Sequence, residues 1–428
     1  MLLQIEVDRI PYQGESIGEG GGFVNKIIAI LGALDTKGQE FEFLKQEIEK
    51  RGCGTFIINV GVLGAPPFTP DVTAEEVAGA GGANLSELIE KGDRGEAMSV
   101  MTVGAAAVVS KYHADGRFDG IISMGGGGGT VMGTSAMRAL PIGVPKLMVS
   151  TVASGDTSAY VGTSDIVMMP SIVDVAGLNR ISRTVYTNAA GAICGMVTGE
   201  VEKAADEKPL VAATMFGNTT RAVEHARNII EQSGYEVLVF HATGTGGRTM
   251  EMLVESGFIV GVLDMTTTEW ADEICGGVLS AGSERLEAAA KAGIPQVVTP
   301  ACIDMCNFWA PDTVPEKYKD RLFYEWNPNV TLMRTTPEEN RRMGEIFAEK
   351  LNAAKGPVAV FIPMGGFSEI DFPGKPFWWP EADQAFVKGL RSNLNADIPV
   401  TIMDEDVNDP EFSGRVARTL LDMLSKGD

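Results

Sequence analysis

The sequence has few of the residues that build metal centres and disulfide frameworks. Its 428 residues include five cysteines, an odd number, and none of them forms a C-x-x-C pair. This usage is typical of a reduced chain with buried thiols and predicts a cytoplasmic protein. Only three histidines occur, at His113, His225 and His241. A histidine-rich metal site is therefore not expected.

Basic charge and long apolar runs are also scarce. The chain has 35 Lys and Arg against 57 Asp and Glu, for a net charge of −22. Such a surface repels nucleic acid and anionic lipid, so no nucleic-acid or membrane partner is expected. No apolar run approaches the length of a membrane span, and the first residues lack the pattern of a secretory signal. Residues 1–25 are predicted to be a flexible N-terminal extension.

What the sequence does contain is an alternation of β-branched runs and amphipathic helical segments. Strands are predicted at 26–34, 54–62, 118–125, 145–151, 210–217, 235–244, 258–265, 295–300, 356–366 and 398–404. Helices are predicted at 37–52, 95–115, 219–233, 337–354 and 410–425. The strands are apolar on both faces, as in a parallel sheet covered by helices on each side. The pattern predicts an α/β fold of two Rossmann-like, doubly wound subdomains with mainly parallel sheets.

The charged segment at 198–209 is the predicted linker between residues 26–200 and residues 208–428. The two halves share short similarities, such as "DGIISMG" at 119–125 with "GGVLSAG" at 276–282. These similarities favour two related subdomains that face a cleft. The alternative is the general likeness of all α/β repeats.

Polar loops follow three strands of the first half, where parallel sheets bind ligands. The candidate nucleotide contacts in these loops are Asp35, Thr36, Lys37, Gly125, Gly126, Gly127, Gly128, Gly129, Thr130, Ser150, Thr151, Ser154, Gly155 and Asp156. Lys37 would neutralise phosphate charge, and Asp35 would hold Mg²⁺ or a ribose hydroxyl. A solvated turn with a helix cap is the alternative for both residues.

The five consecutive glycines at 125–129 favour a phosphate cradle over a simple strand-to-helix turn. Glycines expose their N–H groups, and a helix that follows them presents unpaired donors to an anion. Thr130 is the predicted N-cap of that helix. The segment lacks the Gly-Lys-Ser/Thr of a Walker A loop. The first strand is also not followed by the G-x-G-x-x-G pattern of nicotinamide cofactors.

The second half carries its own polar loops at predicted strand ends. Its candidate substrate contacts are Asn218, Thr219, Arg221, Thr243, Gly246 and Gly247. Its candidate catalytic carboxylates are Asp264, Glu269 and Asp304, which suit general acid–base chemistry or a hydrated Mg²⁺. Helix capping and turn hydrogen bonds are the alternative for each of these residues.

Several segments resemble the family related to the tomato mosaic virus resistance protein. They include "GALDTKG", "DGIISMGGGGGT", "ALPIGVPKLMVSTVASGD", "HATGTGGRTME", "LDMTTTE" and "NPNVTLMRTTPEE". The resemblance implies two α/β subdomains, ATP binding in the first half and a homodimer or higher homo-oligomer. Two departures stand out. The family's glycine loop usually contains a serine where this chain has only glycine, and Trp326 replaces a histidine that often precedes "NP".

Two functional hypotheses follow. One is an ATP-dependent enzyme, with or without Mg²⁺, that acts on a small acid or sugar-derived metabolite in the interdomain cleft. The other is a non-catalytic ATP sensor that regulates a partner. A nicotinamide-dependent oxidoreductase is disfavoured by the missing fingerprint.

Overall fold

A computed structural model describes residues 26–200 and 207–426. The predicted extension at 1–25 and part of the predicted linker lie outside the described residues. The chain divides into two compact units. Unit 1 comprises residues 26–162 and 166–200, and unit 2 comprises residues 163–165 and 207–426. Each unit is described separately below.

Unit 1 is built on a five-stranded parallel sheet with the strand order β2-β1-β3-β4-β5. Its strands are β1 (Ile27–Gly32), β2 (Gly54–Asn59), β3 (Gly120–Gly125), β4 (Lys146–Ser150) and β5 (Val167–Pro170). The residues of β3 and β4 are buried on both faces of the sheet. This burial explains their continuous apolar character, because helices must cover both faces of a parallel sheet.

Seven helices surround this sheet. They are α1 (Leu34–Glu49), α2 (Ala74–Ala80), α3 (Leu85–Lys91), α4 (Arg94–Ala114), α5 (Gly127–Arg138), α6 (Ser158–Val161) and α7 (Arg180–Thr198). One apolar core joins α2, α4 and α5 to one face of the sheet, and a second core joins α1 and α7 to the other. The loops after β1, β2 and β3 therefore meet at one edge of a sheet that is held from both sides.

Unit 2 contains a six-stranded parallel sheet with the strand order β14-β13-β9-β8-β6-β7, and a separate antiparallel sheet with the order β10-β12-β11. Its strands are β6 (Leu210–Met215), β7 (Glu236–His241), β8 (Ile259–Thr266), β9 (Gln296–Ala301), β10 (Met305–Phe308), β11 (Phe323–Asn327), β12 (Val330–Arg334), β13 (Val358–Pro363) and β14 (Val400–Met403). The two parallel sheets confirm the predicted α/β fold.

The helices of unit 2 are α8 (Thr220–Gln232), α9 (Thr245–Glu255), α10 (Glu269–Cys275), α11 (Ala288–Ala292), α12 (Pro337–Asn352), α13 (Pro380–Asn393) and α14 (Pro410–Leu424). Helices α8 and α14 share one apolar core, to which α14 contributes Phe412, Val416 and Leu420. Helices α12 and α13 belong to a second core, with Phe347 and Phe386 in edge-to-face contact at a centroid distance of 5.3 Å. The last helix of the chain thus packs on the first helix of its unit.

The structure departs from the sequence analysis at three points. The segment 276–282, matched above to β3, is a turn region rather than a strand, so the two similar sequences have different structures. Thr130 does not cap α5, because that helix starts three residues earlier. The antiparallel sheet was not predicted, because its strands are only four or five residues long. Within the described part of the chain, no helix is long and apolar enough to cross a membrane.

Candidate functional site

The glycine run of unit 1 passes directly from β3 into α5. Gly126 is the N-cap residue, no side chain caps the helix, and Gly127, Gly128 and Gly129 form its first turn. The N–H groups of a first turn have no acceptor within their own helix. In the part of the chain that the structure describes, no side chain accepts a hydrogen bond from these three N–H groups. They form an uncapped set of donors at the positive end of a helix dipole.

Thr130 stabilises this turn through its buried side chain and does not cap the helix. The Thr130 side chain is fully buried, and its hydroxyl donates to the carbonyl oxygen of Gly126 at 2.8 Å. The same hydroxyl lies 2.6 Å from the Ser150 hydroxyl at the end of β4. The predicted capping role is therefore wrong, because the N-cap position belongs to Gly126. Thr130 instead ties the start of α5 to the neighbouring strand.

The glycines of the run serve two purposes. A Cβ on Gly125 would lie 2.8 Å from the Cα of Gly129, so that position is closed to any side chain. A Cβ on Gly127 would meet no atom within 4 Å, and one on Gly128 would only touch the end of Met98 at 3.4 Å. Gly125 is thus required by backbone packing, whereas Gly127 and Gly128 leave space in front of the helix.

That space is a cavity of about 670 Å³, here called the unit 1 cavity. The loops after β1, β2 and β3 form one side of it. The other side is mainly apolar and is formed by Leu88, Ile89, Ala97, Met98, Met101 and Met132. Flexible methionines beside an apolar slot suit a flat, weakly polar ring. The cavity therefore combines an apolar slot with exposed N–H donors.

Charged groups line the same cavity. Asp35 accepts a hydrogen bond from the N–H of Leu63 at 2.6 Å through Oδ2, while its Oδ1 is buried without a partner. A side chain on Gly61 would collide with this carboxylate at 2.4 Å, so the chain leaves room for it. Lys37 and Arg94 also line the cavity. The cavity lining thus holds two cations, Lys37 and Arg94, and three carboxylates, those of Asp35, Asp93 and Asp174.

A smaller pocket of about 290 Å³, here called the side pocket, lies at the end of β4. Ser150, Thr151 and Ser154 line it together with residues 170–174. Asp174 lines both the side pocket and the unit 1 cavity. The structure therefore brings the three predicted loop regions to two adjoining pockets at one sheet edge.

Gly155 and Asp156 line neither of these two pockets. Asp156 accepts a hydrogen bond from the N–H of Ser158 at 2.9 Å, just before the short helix α6. Hydrogen bonds from Ser158 lower the pKa of Asp156. This geometry gives Asp156 a turn-stabilising contact.

Asp264 and Glu269 of unit 2 are buried and bound to Arg285. The guanidinium donates to both oxygens of Asp264 at 2.6 Å and to Glu269 at 2.7 Å. It also donates to Glu251 at 3.0 Å, and Thr214 donates to Asp264 at 2.8 Å. Burial opposes the charge of Arg285, but the carboxylates, led by Asp264, raise its pKa well above the usual value. These carboxylates form a buried ion network around one guanidinium.

Glu269 also occupies the N-terminus of α9. Its Oε1 accepts hydrogen bonds from the N–H groups of Gly244 at 2.7 Å and Gly247 at 3.1 Å. A Cβ on Gly247 would lie 2.3 Å from Glu269 Oε2, and one on Gly246 would lie 1.9 Å from the carbonyl oxygen of His241. This second glycine loop therefore binds a carboxylate of its own chain, whereas the N–H groups in the first turn of α5 have no such partner.

Asp304 belongs to a different hydrogen-bond cluster. It is fully buried, and Ser368 donates to its Oδ2 at 2.7 Å, while its Oδ1 has no partner. Burial and the neighbouring Asp371 raise the pKa of Asp304, and Arg334 opposes that shift. Arg334 itself binds Asp371 and Asp383 at 3.3 and 2.7 Å. Among residues 26–200 and 207–426, no group of three or more His, Cys, Asp or Glu side chains could hold a metal ion.

Unit 2 has a cavity of about 610 Å³, here called the unit 2 cavity. Asn218 and Thr243, both predicted as substrate contacts, line it. Trp326, noted in the sequence for replacing a histidine, lines it as well, but sequence inspection did not single out most of the other walls, which come from short loops and from the antiparallel sheet. These walls include Phe216, Val278, Leu279, Ser280, Phe308, Trp309 and Val330.

The other predicted contacts of unit 2 lie elsewhere. Thr219 is buried, and its hydroxyl lies 2.7 Å from that of Thr266. Arg221 is exposed and pairs with Glu369 at 3.4 Å. Neither residue lines the unit 2 cavity. The structure thus assigns only part of the predicted contact set to one pocket.

Comparisons with known proteins cover nearly the whole described chain. Residues 26–202 and 208–424 match the N-terminal and C-terminal domain models of the uncharacterised protein family UPF0261. A UPF0261 protein from Clostridium tetani is 52% identical over 404 residues, covering 94% of this chain and all of the relative. The ToMV resistance protein Tm-1(GCR237) of Solanum lycopersicum is 42% identical over 340 residues, covering 78% of this chain and 45% of that protein.

Solved structures show only remote similarity. A UDP-N-acetylglucosamine 2-epimerase from Rickettsia bellii matches with 9% identity and a TM-score of 0.22, covering 94% of this chain and 96% of that one. A score this low carries no argument about this chain.

Proposed function

The chain belongs to the uncharacterised protein family UPF0261, and we propose that it binds ATP in the unit 1 cavity. The observation that carries this proposal is the uncapped start of α5, which opens into a cavity that also has an apolar wall. A helix N-terminus with exposed N–H groups favours a phosphate. An apolar slot within the same cavity favours a nucleobase.

In the proposed pose, each part of the cavity binds a different part of ATP. The N–H groups of Gly127, Gly128 and Gly129 hold phosphate oxygens, and Lys37 and Arg94 neutralise the remaining negative charge. The adenine lies along the methionine side of the slot. The free Oδ1 of Asp35 accepts a hydrogen bond from a ribose hydroxyl or from water on a phosphate-bound Mg²⁺. The resemblance noted in the sequence implies the same nucleotide.

We further propose that the protein is an enzyme that uses ATP on a small molecule bound by unit 2. A second large cavity supports this proposal, because storage of one nucleotide needs only one site. ATP would supply a phosphoryl or nucleotidyl group for transfer. A non-catalytic ATP sensor remains the alternative. A homo-oligomer and a cytoplasmic location remain predictions from the sequence.

The nucleotide site is tested by replacing Gly127 with leucine. A side chain at Gly127 meets no protein atom within 4 Å but enters the space in front of the helix. Titration calorimetry with Mg-ATP should therefore show an affinity loss of at least about tenfold, with the melting temperature unchanged. Gly195→Leu is the matched control, because Gly195 is also an exposed helical glycine of unit 1 with open space.

Two results would overturn the proposal. One is a folded Gly127→Leu protein that binds ATP as tightly as the unaltered chain. The other is thermal protection of the unaltered chain by NAD but not by ATP. Incubation with ATP and a broad set of metabolites separates the enzyme from the sensor, since only the enzyme consumes ATP.

A further inference from the structure

The unit 2 cavity has aromatic walls that are open to solvent. Trp309 is 52% exposed and Trp326 is 43% exposed, although indole rings are usually well buried. On the same cavity lining, Phe216 and His241 stack with a centroid distance of 5.5 Å and an interplanar angle of 26°. Exposed aromatic faces around a concave site are suited to stacking on a ring of the ligand.

Two buried oxygen atoms in the lining lack hydrogen-bond partners. They are the Oδ1 atoms of Asn218 and Asn307, and both residues are only 1% exposed. The Nδ2 of Asn307 donates to Asp272 at 2.7 Å and to Thr268 at 3.3 Å, which fixes its amide orientation. Its Oδ1 is therefore an acceptor. A buried acceptor without a donor is unfavourable, and a ligand hydroxyl would remove that cost.

The cavity lining contains no acidic side chain in a strongly acidic chain, although two lining residues, Ser280 and Asn307, donate to Glu273 and Asp272 behind them. No lining residue is Asp or Glu, although the net charge of the chain is −22. Arg248 lies at this lining and donates only to uncharged groups, the carbonyl oxygen of Ser280 at 3.0 Å and the hydroxyl of Thr245 at 3.4 Å. Among the residues that the structure describes, no carboxylate forms a salt bridge with Arg248. Its charge is therefore available to an anion.

From these observations we propose that the unit 2 cavity binds a sugar that carries an acidic group. The ring packs on the tryptophan faces, its hydroxyls donate to the Oδ1 atoms of Asn218 and Asn307, and its carboxylate or phosphate pairs with Arg248. Hydroxyl groups suit this cavity better than a nucleobase does. They both donate and accept, and the lining offers the hydroxyls of Thr243 and Thr245 besides the two amide oxygens. The assignment rests on the proposed function, of which it specifies the substrate class.

The first experiment measures binding to the full chain without ATP. The probes are D-glucuronate, D-galacturonate, glucose 6-phosphate, neutral D-glucose and UMP. Their binding is measured by ligand-observed NMR and by tryptophan fluorescence. At least one acidic sugar should bind and change the fluorescence, and D-glucose should bind at least about tenfold more weakly. Comparison of the uronates with the sugar phosphate distinguishes a carboxylate from a phosphate. Absence of binding by every acidic sugar at about 10 mM would refute the proposal.

Variants assign the binding to this cavity. Arg248→Gln keeps a polar side chain but removes the charge, and it should bring the affinity for the acidic sugar close to that for D-glucose. Arg227→Gln is the control, because Arg227 is an exposed arginine of the same unit outside the cavity lining. Trp326→Ala removes one of the two tryptophans on the cavity lining and should reduce the fluorescence change. Equal affinities in the Arg248→Gln and unaltered chains would refute the role of Arg248.

The two proposals fail separately. Gly127→Leu should lose ATP binding and still bind the acidic sugar, because the two cavities have no lining residue in common. Binding of UMP that depends on Arg248 and Trp326, with no binding of an acidic sugar, would replace the sugar site with a nucleotide site. Loss of sugar binding in Arg248→Gln with ATP binding intact would support the assignment.

Discussion

The buried network around Arg285 makes a specific prediction about stability. Replacement by methionine keeps an unbranched side chain of similar reach but removes four hydrogen bonds to Asp264, Glu269 and Glu251. Glu251 would still accept hydrogen bonds from the N–H groups of Leu286 and Ala288. Asp264 and Glu269 are each only 1% exposed and would be left without their counter-charge.

The expected loss is about 3–5 kcal/mol at neutral pH, the usual cost of removing one partner from a buried ion pair. For a unit of this size, that loss lowers the melting temperature by roughly 6–20 °C.

Scanning calorimetry measures the loss of stability in the Arg285→Met variant, and hydrogen exchange shows which strands and helices are affected. Amides of β8 and α9 in unit 2 should lose protection, whereas those of β3 in unit 1 should not. Arg227→Met is the control, because Arg227 pairs with Glu231 on an exposed helix face and such pairs contribute about 0.5 kcal/mol or less. A loss below about 1 kcal/mol for Arg285→Met would refute the reasoning. It would also return Asp264 and Glu269 to the candidates for proton transfer.

Two further predictions concern packing and pH. Gly32→Ala should destabilise unit 1 by about 1–3 kcal/mol or more in urea unfolding, because the new Cβ would lie 2.0 Å from the buried ring of Phe41. Gly64→Ala is the control, because a Cβ at Gly64 meets open space. An equal loss of stability in the two variants would contradict this prediction. Burial and the neighbouring Asp371 raise the pKa of Asp383 from its usual value of 3.8 to about 7. The stability that this proton provides is therefore complete below the unfolded pKa and is lost as the pH rises through about 7. Asp383→Asn should flatten the pH dependence of unfolding between those values, and an unchanged slope would be evidence against the shift.

The sequence predicted the parallel sheets well, because a strand buried on both faces must be apolar throughout. It also indicated that Asp35, Lys37 and the glycine run lie close together, since the ends of parallel strands meet at one edge of the sheet. The apolar side of the unit 1 cavity was not predicted. Met98 and Leu88 belong to helices, where an apolar residue has the same pattern whether it faces the core or a ligand.

The unit 2 carboxylates show a different limit of sequence reasoning. Asp264 and Arg285 are 21 residues apart, and no helical or strand periodicity relates them. A carboxylate that follows a strand looks the same in sequence whether it faces a substrate or a buried guanidinium. The glycine loops at α5 and α9 also look alike, and only the structure shows that Glu269 already occupies the second one.

The contact between α8 and α14 has a consequence for biosynthesis. Helix α14 supplies Phe412, Val416 and Leu420 to the core that also contains α8, the first helix of unit 2. A ribosome releases the chain from its N-terminus, so this core stays incomplete until α14 has been translated. Unit 1, whose strands and helices all precede residue 201, can close much earlier. The nascent chain should therefore fold in two stages. Between the folding of unit 1 and the synthesis of α14, unit 2 exposes an apolar face to which a chaperone would bind.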